Sequence, residues 1–582
     1  MQYEAILHIP MSQYAFGLDE NHVVFRLRAA RDDLKNCTLI YGDRSCRRTP
    51  VDYFYAEMER VCQDNLFDWW EITLKTHIKR LCYGFRLVDQ MGESALYYGN
   101  QFNDELTIER SEYFQLPYNH RADWVNVPSW MQDAVVYNIF PDSFASGEGV
   151  ITCQPIEATW NGEIVRSKLG GTIRGITENL PYIKEMGFNC IYMNPIFVAG
   201  EYHKYDLIDY FHIDPTFGSD DDFRELVRTA HAMGIRVVID GVFNHCGWKF
   251  NAFKDVIKKG KASKYWDWFY RLEEPVTVPD KMEDYPPYEC FGYERMMPKL
   301  ATDNPVVRDY FCHVGVYWVR EYDIDGWRLD VASEVNDGFW RAFRGAVKSV
   351  KPDCALVGEV WETASHWLEG SMFDSTMNYD FRRHCRHFFA SQDIDAQAFN
   401  SRVTDMLMRY HRQMAYSQLN LLDSHDVSRF FSLCEGNLDR MKLAVLFQMT
   451  FVGIPCVFYG DEKGMFGVLE EEYRQAMLWG NERSELQTFY QKAIALRRQY
   501  VALRRGNFRL IFAQCNGGLY HYTREANNEV IGVLMNRSDN PANVSVPGTI
   551  LWQERLAYDI LGSYGFVIYY IERGNLCACH DS

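Results

Sequence analysis

Between residues 134 and 458, eight short apolar runs alternate with stretches of helical periodicity. The runs fall at 134–140, 190–194, 236–240, 326–330, 355–358, 373–377, 418–422 and 454–458. Each suits a strand buried on both faces and is too short for a helix. Between the runs, Ile173, Ile176, Leu180 and Ile183 keep helical spacing. Ser219 with Asp222 reads as a capping box ahead of Phe223, Leu226, Val227 and Ala230. Strand–helix alternation eight times over predicts a (β/α)8 barrel; a doubly wound sheet, the alternative, seldom needs eight such units.

The 582-residue chain is too long for that barrel alone. Residues 1–122 read as β structure, with strand-like runs at 22–27 and 69–75. A hairpin is expected from 82–88 to 95–98 around Met91-Gly92. Short strands separated by turns predict an N-terminal β-sandwich, joined through 116–129 to a barrel domain at 123–505. Between Asp240 and a helix expected at 305–322 lie about sixty residues rich in Pro, Tyr, Trp and Lys. Long insertions in compact domains carry function, so 246–303 reads as a small excursion domain after strand three. Beyond Arg505 the helical pattern stops. Runs at 508–513, 519–523 and 530–535 predict a C-terminal β-sandwich over 506–582.

Four acidic segments end four of the apolar runs. They are Asp240-Gly241-Val242-Phe243-Asn244-His245, Gly326-Trp327-Arg328-Leu329-Asp330, Gly358-Glu359-Val360-Trp361 and Leu422-Asp423-Ser424-His425-Asp426. An unpaired carboxylate inside a strand is costly, whereas one at the C-terminal end of a barrel strand reaches a shared pocket. Asp330, Glu359 and Asp426 meet the need of glycoside hydrolysis for two carboxylates, with a third acid to grip the sugar. Taken singly, Arg328 with Asp330 reads as a plain ion pair, and a lone His as a structural one. Their weight comes from standing together at strand ends.

A net charge of −18 disfavours nucleic acid and anionic membrane surfaces. Met1-Gln2-Tyr3-Glu4 opens no basic-then-apolar leader, and no apolar stretch is long enough to span a membrane. The 16 Cys show no repeating metal-type spacing; Cys577, Cys579 and His580 make only a weak tail cluster. Free thiols in a cytoplasmic protein are the expectation.

The four segments together resemble the signatures of the alpha-amylase family of glycoside hydrolases, over about 125–500. Met297-Pro298-Lys299-Leu300 and the extra N-terminal domain resemble the neopullulanase, cyclomaltodextrinase and maltogenic amylase subfamily. The resemblance implies that Asp330 is the nucleophile, Glu359 the general acid and then base, and Asp426 the stabiliser of the transition state. It implies that Arg328 keeps Asp330 ionised, that His245 and His425 bond sugar hydroxyls, and that Asp240 supports the arginine from behind. Tyr205 would stack under the reacting sugar and Trp361 on the leaving-group side. Glu334 would meet the acceptor sugar, and Arg474 would limit the glycone side.

Two departures stand out. Ser333 replaces the Asn that many relatives carry before Glu334, which bears on hydrolysis against transglycosylation. The family's calcium ligands are replaced in Ser146-Gly147-Glu148-Gly149, and Thr172 follows Gly170-Gly171. No cofactor is therefore required by this reading, calcium at that place is disfavoured though left open, and no metal residue is assigned. The expected enzyme is a retaining α-glucan hydrolase acting on cyclodextrins, maltooligosaccharides, and pullulan or starch, and it forms a homodimer. An α-amylase or α-glucosidase of the same family is the near alternative. A non-catalytic sugar-binding homologue is the remote one, since such a protein usually loses a catalytic acid.

Overall fold

The computed structural model describes residues 1–147, 168–279, 284–480 and 483–572, with two short paired strands at Thr159–Trp160 and Glu163–Ile164. The tail residues Cys577, Cys579 and His580 lie outside the described residues.

Eight parallel strands close into a barrel: β1 (Val136–Ile139), β2 (Cys190–Met193), β3 (Arg236–Gly241), β4 (Gly326–Leu329), β5 (Ala355–Gly358), β6 (Ser375–Asn378), β7 (Leu419–Leu421) and β8 (Ile454–Phe458). All eight coincide with the apolar runs of the sequence. The two-residue strand period then sorts the side chains. Ile191 and Met193 of β2 join the cluster packed under the helices. Cys190 and Tyr192 face inward with Val136, Val238, Ala355, Val357, Leu419 and Ile454. Along the inward rows, apolar residues near the strand starts give way to polar ones at the C-terminal ends. Val238 is followed by Asp240, Gly326 by Arg328 and then Asp330, and Ala355 by Val357 and then Glu359.

The helix Asp220–Ala232 begins at the capping box formed by Ser219 and Asp222. The helix Pro305–Tyr322 starts with Pro in its first turn and the Asn304 side chain as its cap, and ends at Asp323 in the left-handed region. It delivers the chain to β4 after the excursion. That excursion holds a helix at Asn251–Lys259 and a hairpin of Cys290–Phe291 with Glu294–Pro298. Its exit zips onto the segment after β3: Cys246 N–H donates to Pro298 O at 3.1 Å and Leu300 N–H to Asn244 O at 3.0 Å.

The N-terminal region forms a four-stranded and a six-stranded antiparallel sheet packed over one core, with the 81–89 and 94–98 strands paired as a hairpin. It is tied to the barrel by a buried charge. Arg26 donates to Glu71 at 2.6 Å and to Tyr410 O at 2.7 Å, and Arg412 pairs with the same Glu71. The C-terminal region is one antiparallel sheet of six strands. Arg524, fully buried, donates to Thr450 O at 2.6 Å and Leu503 O at 3.0 Å, which joins that sheet to the barrel's last turn of chain.

Candidate active site

The register of the barrel places Asp240 of β3 directly beside Arg328 of β4. Arg328 is 1% exposed and sits at the centre of the acids. Its Nη1 donates to both oxygens of Asp240 at 3.0 Å and to Asp330 Oδ1 at 2.8 Å. Its Nη2 lies 2.9 Å from Glu359 Oε1, without the alignment of a hydrogen bond, and 3.8 Å from Asp426 Oδ2. Four carboxylates thus share one guanidinium. Burial pushes Asp330 and Asp426 upward, Asp426 to about 7, and the Glu359 charge adds to both.

Glu359 has further donors. Val331 N–H reaches its Oε2 at 2.9 Å and Trp361 Nε1–H its Oε1 at 3.1 Å. Val331 makes that contact from φ 44°, ψ 45°. A β-branched residue in the left-handed region is strained, at about 1–3 kcal/mol, and such strain persists where the surroundings enforce it. Here the turn from Asp330 to Val331 sets the backbone donor against the second acid. Trp361 is 45% exposed and its ring stacks on Tyr379 at 3.8 Å and 12°.

The two histidines are neutral. Burial pulls His245 down to about 3, helped by Lys299, and takes His425 well below its usual range, helped by Arg328. His425 is clamped by Asn194 at 2.9 Å and by the Tyr205 hydroxyl, and its Nε2 lies 3.1 Å from Asp426. The Tyr205 ring is parallel to it at 5.6 Å, and the Tyr205 hydroxyl also donates to Asp240 at 3.2 Å. His245 stacks on Phe291 at 4.9 Å. Its Nε2 is buried and finds no protein partner among the described residues, which leaves a polar group for a ligand hydroxyl to satisfy.

Arg474 is 6% exposed, so it is no surface arginine. Its Nε donates to His425 O at 2.7 Å, its Nη1 to Glu470, and its Nη2 to Asp426 at 3.4 Å. It fixes the loop that carries His425 and Asp426. Glu334 stands at the outer edge, about half exposed, paired with Lys299 at 2.8 Å.

Several members of this constellation escaped the sequence reading. Lys299 bridges Glu334 and the Asn244 side chain, a task that the Met-Pro-Lys-Leu motif does not announce. Tyr192 donates to Asp240 at 2.7 Å. Tyr192 and Asn194 are polar residues two apart in an otherwise apolar run, and that spacing was a usable signal.

The place where relatives hold calcium is occupied differently. Asp142 accepts Leu169 N–H at 3.0 Å and Gly170 N–H at 3.1 Å. The Thr172 hydroxyl oxygen accepts Gly175 N–H at 2.9 Å as a helix cap and Gly147 N–H at 3.1 Å. Glu148 and Gly149 lie outside the described residues. Among the described residues, these donors do not make up the six or more oxygens that calcium needs. Among the described residues no group of three or more His, Cys, Asp or Glu is placed to hold a metal.

Residues 138–479 match the family model described as alpha amylase, catalytic domain, and residues 1–120 match alpha amylase, N-terminal ig-like domain. The chain belongs to the alpha-amylase family. It is 39% identical to a cyclomaltodextrinase of Geobacillus thermopakistaniensis (strain MAS1), covering 98% of this chain and 100% of that protein. It is 40% identical to neopullulanase 2 of Thermoactinomyces vulgaris, covering 92% and 91%. A solved cyclomaltodextrinase structure superposes with a TM-score of 0.89 at 36% identity, covering 98% of both chains. As an alpha-amylase family member the protein is a glycoside hydrolase, a chemistry that needs no organic cofactor.

Proposed function

We propose that this enzyme cleaves α-1,4-glucosidic bonds of cyclodextrins and maltooligosaccharides with retention, and takes pullulan and starch into the same cleft. Transfer to a second sugar is the competing outcome. The observation that carries the reading is the single buried guanidinium of Arg328 between Asp330 and Glu359. It holds Asp330 ready to attack the anomeric carbon while Glu359 protonates the leaving oxygen. Glu359 then draws a proton from the water or sugar that resolves the covalent intermediate. Asp426 grips the ring hydroxyls and balances the cationic transition state. His425 and His245, neutral, donate to sugar hydroxyls, and Tyr205 stacks under the ring. Trp361 faces the leaving group, and Glu334 the acceptor. Arg474 limits the glycone side by holding the Asp426 loop, and Asp240 supports Arg328.

Names of relatives support cyclodextrin and pullulan as substrates. The near alternative, an α-amylase or α-glucosidase, would share the fold and the three acids and differ in substrate length. Among the described residues no helix is long and apolar enough to cross a membrane. The thirteen described cysteines are all free thiols, which suits the cytoplasm. We place the enzyme there as a homodimer that needs no calcium, with domains at 1–122, 123–505 and 506–582. Asp330→Asn and Glu359→Gln should each lower kcat on β-cyclodextrin by about 10³-fold or more with the fold intact. Near-normal turnover by Glu359→Gln on unactivated maltotriose would overturn the acid assignment.

A further inference from the structure

A cavity of about 630 Å³ opens where the N-terminal sheets, the barrel and the C-terminal sheet meet. Its walls come from 59–62 and 70–71, from 407–416, and from 507–509. Clefts of this size at domain junctions are where small molecules bind. Tyr416 of its wall lies just before β7 begins, whereas Asp426 lies beyond the end of β7. The cavity and the catalytic acids therefore sit at opposite ends of the barrel.

The charge in this cavity is unbalanced. Glu71 is shared by two guanidinium groups, those of Arg26 at 2.6 Å and of Arg412. The remaining acceptors of Arg26 are the backbone carbonyls of Gln13, Met408 and Tyr410, and that of Arg412 is the Thr73 hydroxyl. Two cations on one carboxylate leave a positive excess, and Arg26 is almost wholly out of water. Such a charge favours a counter-ion. Lys35 and Arg509, from different domains, stand exposed in the lining without an acidic partner among the described residues. Over the whole lining five basic side chains face three acidic ones, in a chain whose net charge is −18. One of the five, Arg60, is answered by Asp32 and Asp68 outside the cavity, and the balance stays positive without it. The rest of the wall suits a sugar: Trp70, Tyr416 and Phe508 supply rings, and Gln90 and Asn507 supply amides. The Trp70 indole N–H is buried and has no protein partner among the described residues.

We propose that this cavity binds a phosphorylated monosaccharide. Its phosphate would sit among Arg412, Lys35 and Arg509, and its ring against the aromatic wall. Inorganic phosphate alone would leave most of the volume and the rings unused. The ligand would touch all three domains at once and would not compete with the glucan substrate.

The test is isothermal titration of the full-length protein with glucose 1-phosphate, at an ionic strength matched with NaCl. Binding should be one to one with Kd below about 1 mM, and inorganic phosphate should bind about ten-fold more weakly or worse. Lys35→Ala/Arg509→Ala, which alters only exposed side chains, should weaken glucose 1-phosphate binding by about ten-fold or more. Its kcat on β-cyclodextrin should match the parent's. Asp330→Asn saturated with β-cyclodextrin should bind glucose 1-phosphate as tightly as it does alone. Three results would overturn the site: no binding at about 10 mM, unchanged affinity in the double variant, or displacement by β-cyclodextrin, which would put the ligand among the catalytic acids. Equal affinity for inorganic phosphate would overturn the sugar phosphate as its ligand.

Discussion

Asp330 and Glu359 are bridged by one side chain: Arg328 Nη1 lies 2.8 Å from Asp330 Oδ1, and Nη2 lies 2.9 Å from Glu359 Oε1. Two carboxylates gathered by the two terminal nitrogens of one guanidinium face a common pocket, the arrangement that suits the closely spaced pair of a retaining enzyme, about 5–5.5 Å apart.

The reaction should therefore retain the α configuration. Proton NMR of the first products from maltotriose should show the α anomer before mutarotation. A β anomer appearing first would exclude the double displacement.

Asp426→Asn should make the inactive protein more heat-stable, and more so at alkaline pH. Burial raises the folded-state value of Asp426 to about 7, above an unfolded value of about 3.9. Its contribution is fully present below the unfolded value and is lost as pH rises through about 7. Asn removes a partly buried charge that exists only on the alkaline side. Melting curves at pH 5 and pH 8 should show the larger gain in Tm at pH 8; a larger gain at pH 5 would mean the sign is wrong.

Lys299→Met should shift products from transfer toward hydrolysis. Lys299 is the cation that holds Glu334 against Asn244, and a freed Glu334 no longer presents a fixed carboxylate to an acceptor sugar. Chromatography at high maltotriose should show the transfer-to-hydrolysis ratio falling several-fold, while kcat falls by less than about ten-fold. An unchanged ratio would remove Lys299 from acceptor selection.

Chelator treatment should leave both kcat and Tm unchanged. The Asp142 carboxylate and the Thr172 hydroxyl are already used by backbone N–H groups. Inactivation by EDTA that calcium alone reverses would show a site elsewhere in the chain.

The barrel was legible because its signal is local and repeated. A buried strand must be apolar, and a helix must show its period, so all eight strands could be placed from the chain alone. That Asp330, Glu359 and Asp426 would meet at one end of the barrel was legible because each follows an apolar run, and the C-terminal strand ends of a barrel converge. The chain also indicated the capping box at Ser219 and the helix Pro305–Tyr322, both set by neighbours in sequence. What it left open depends on atoms far apart along the chain. Arg474 read as an arginine of uncertain exposure, and only closure of the barrel buries it beneath His425, 49 residues away. Lys299 read as part of a motif, and only the zipping of the excursion onto the segment after β3 brings it to Glu334. The strained Val331 and the bond from Trp361 to Glu359 are likewise consequences of packing. Periodicity fixes which face a side chain takes, but the partner it meets there is chosen by the register between strands, which no short stretch of sequence encodes.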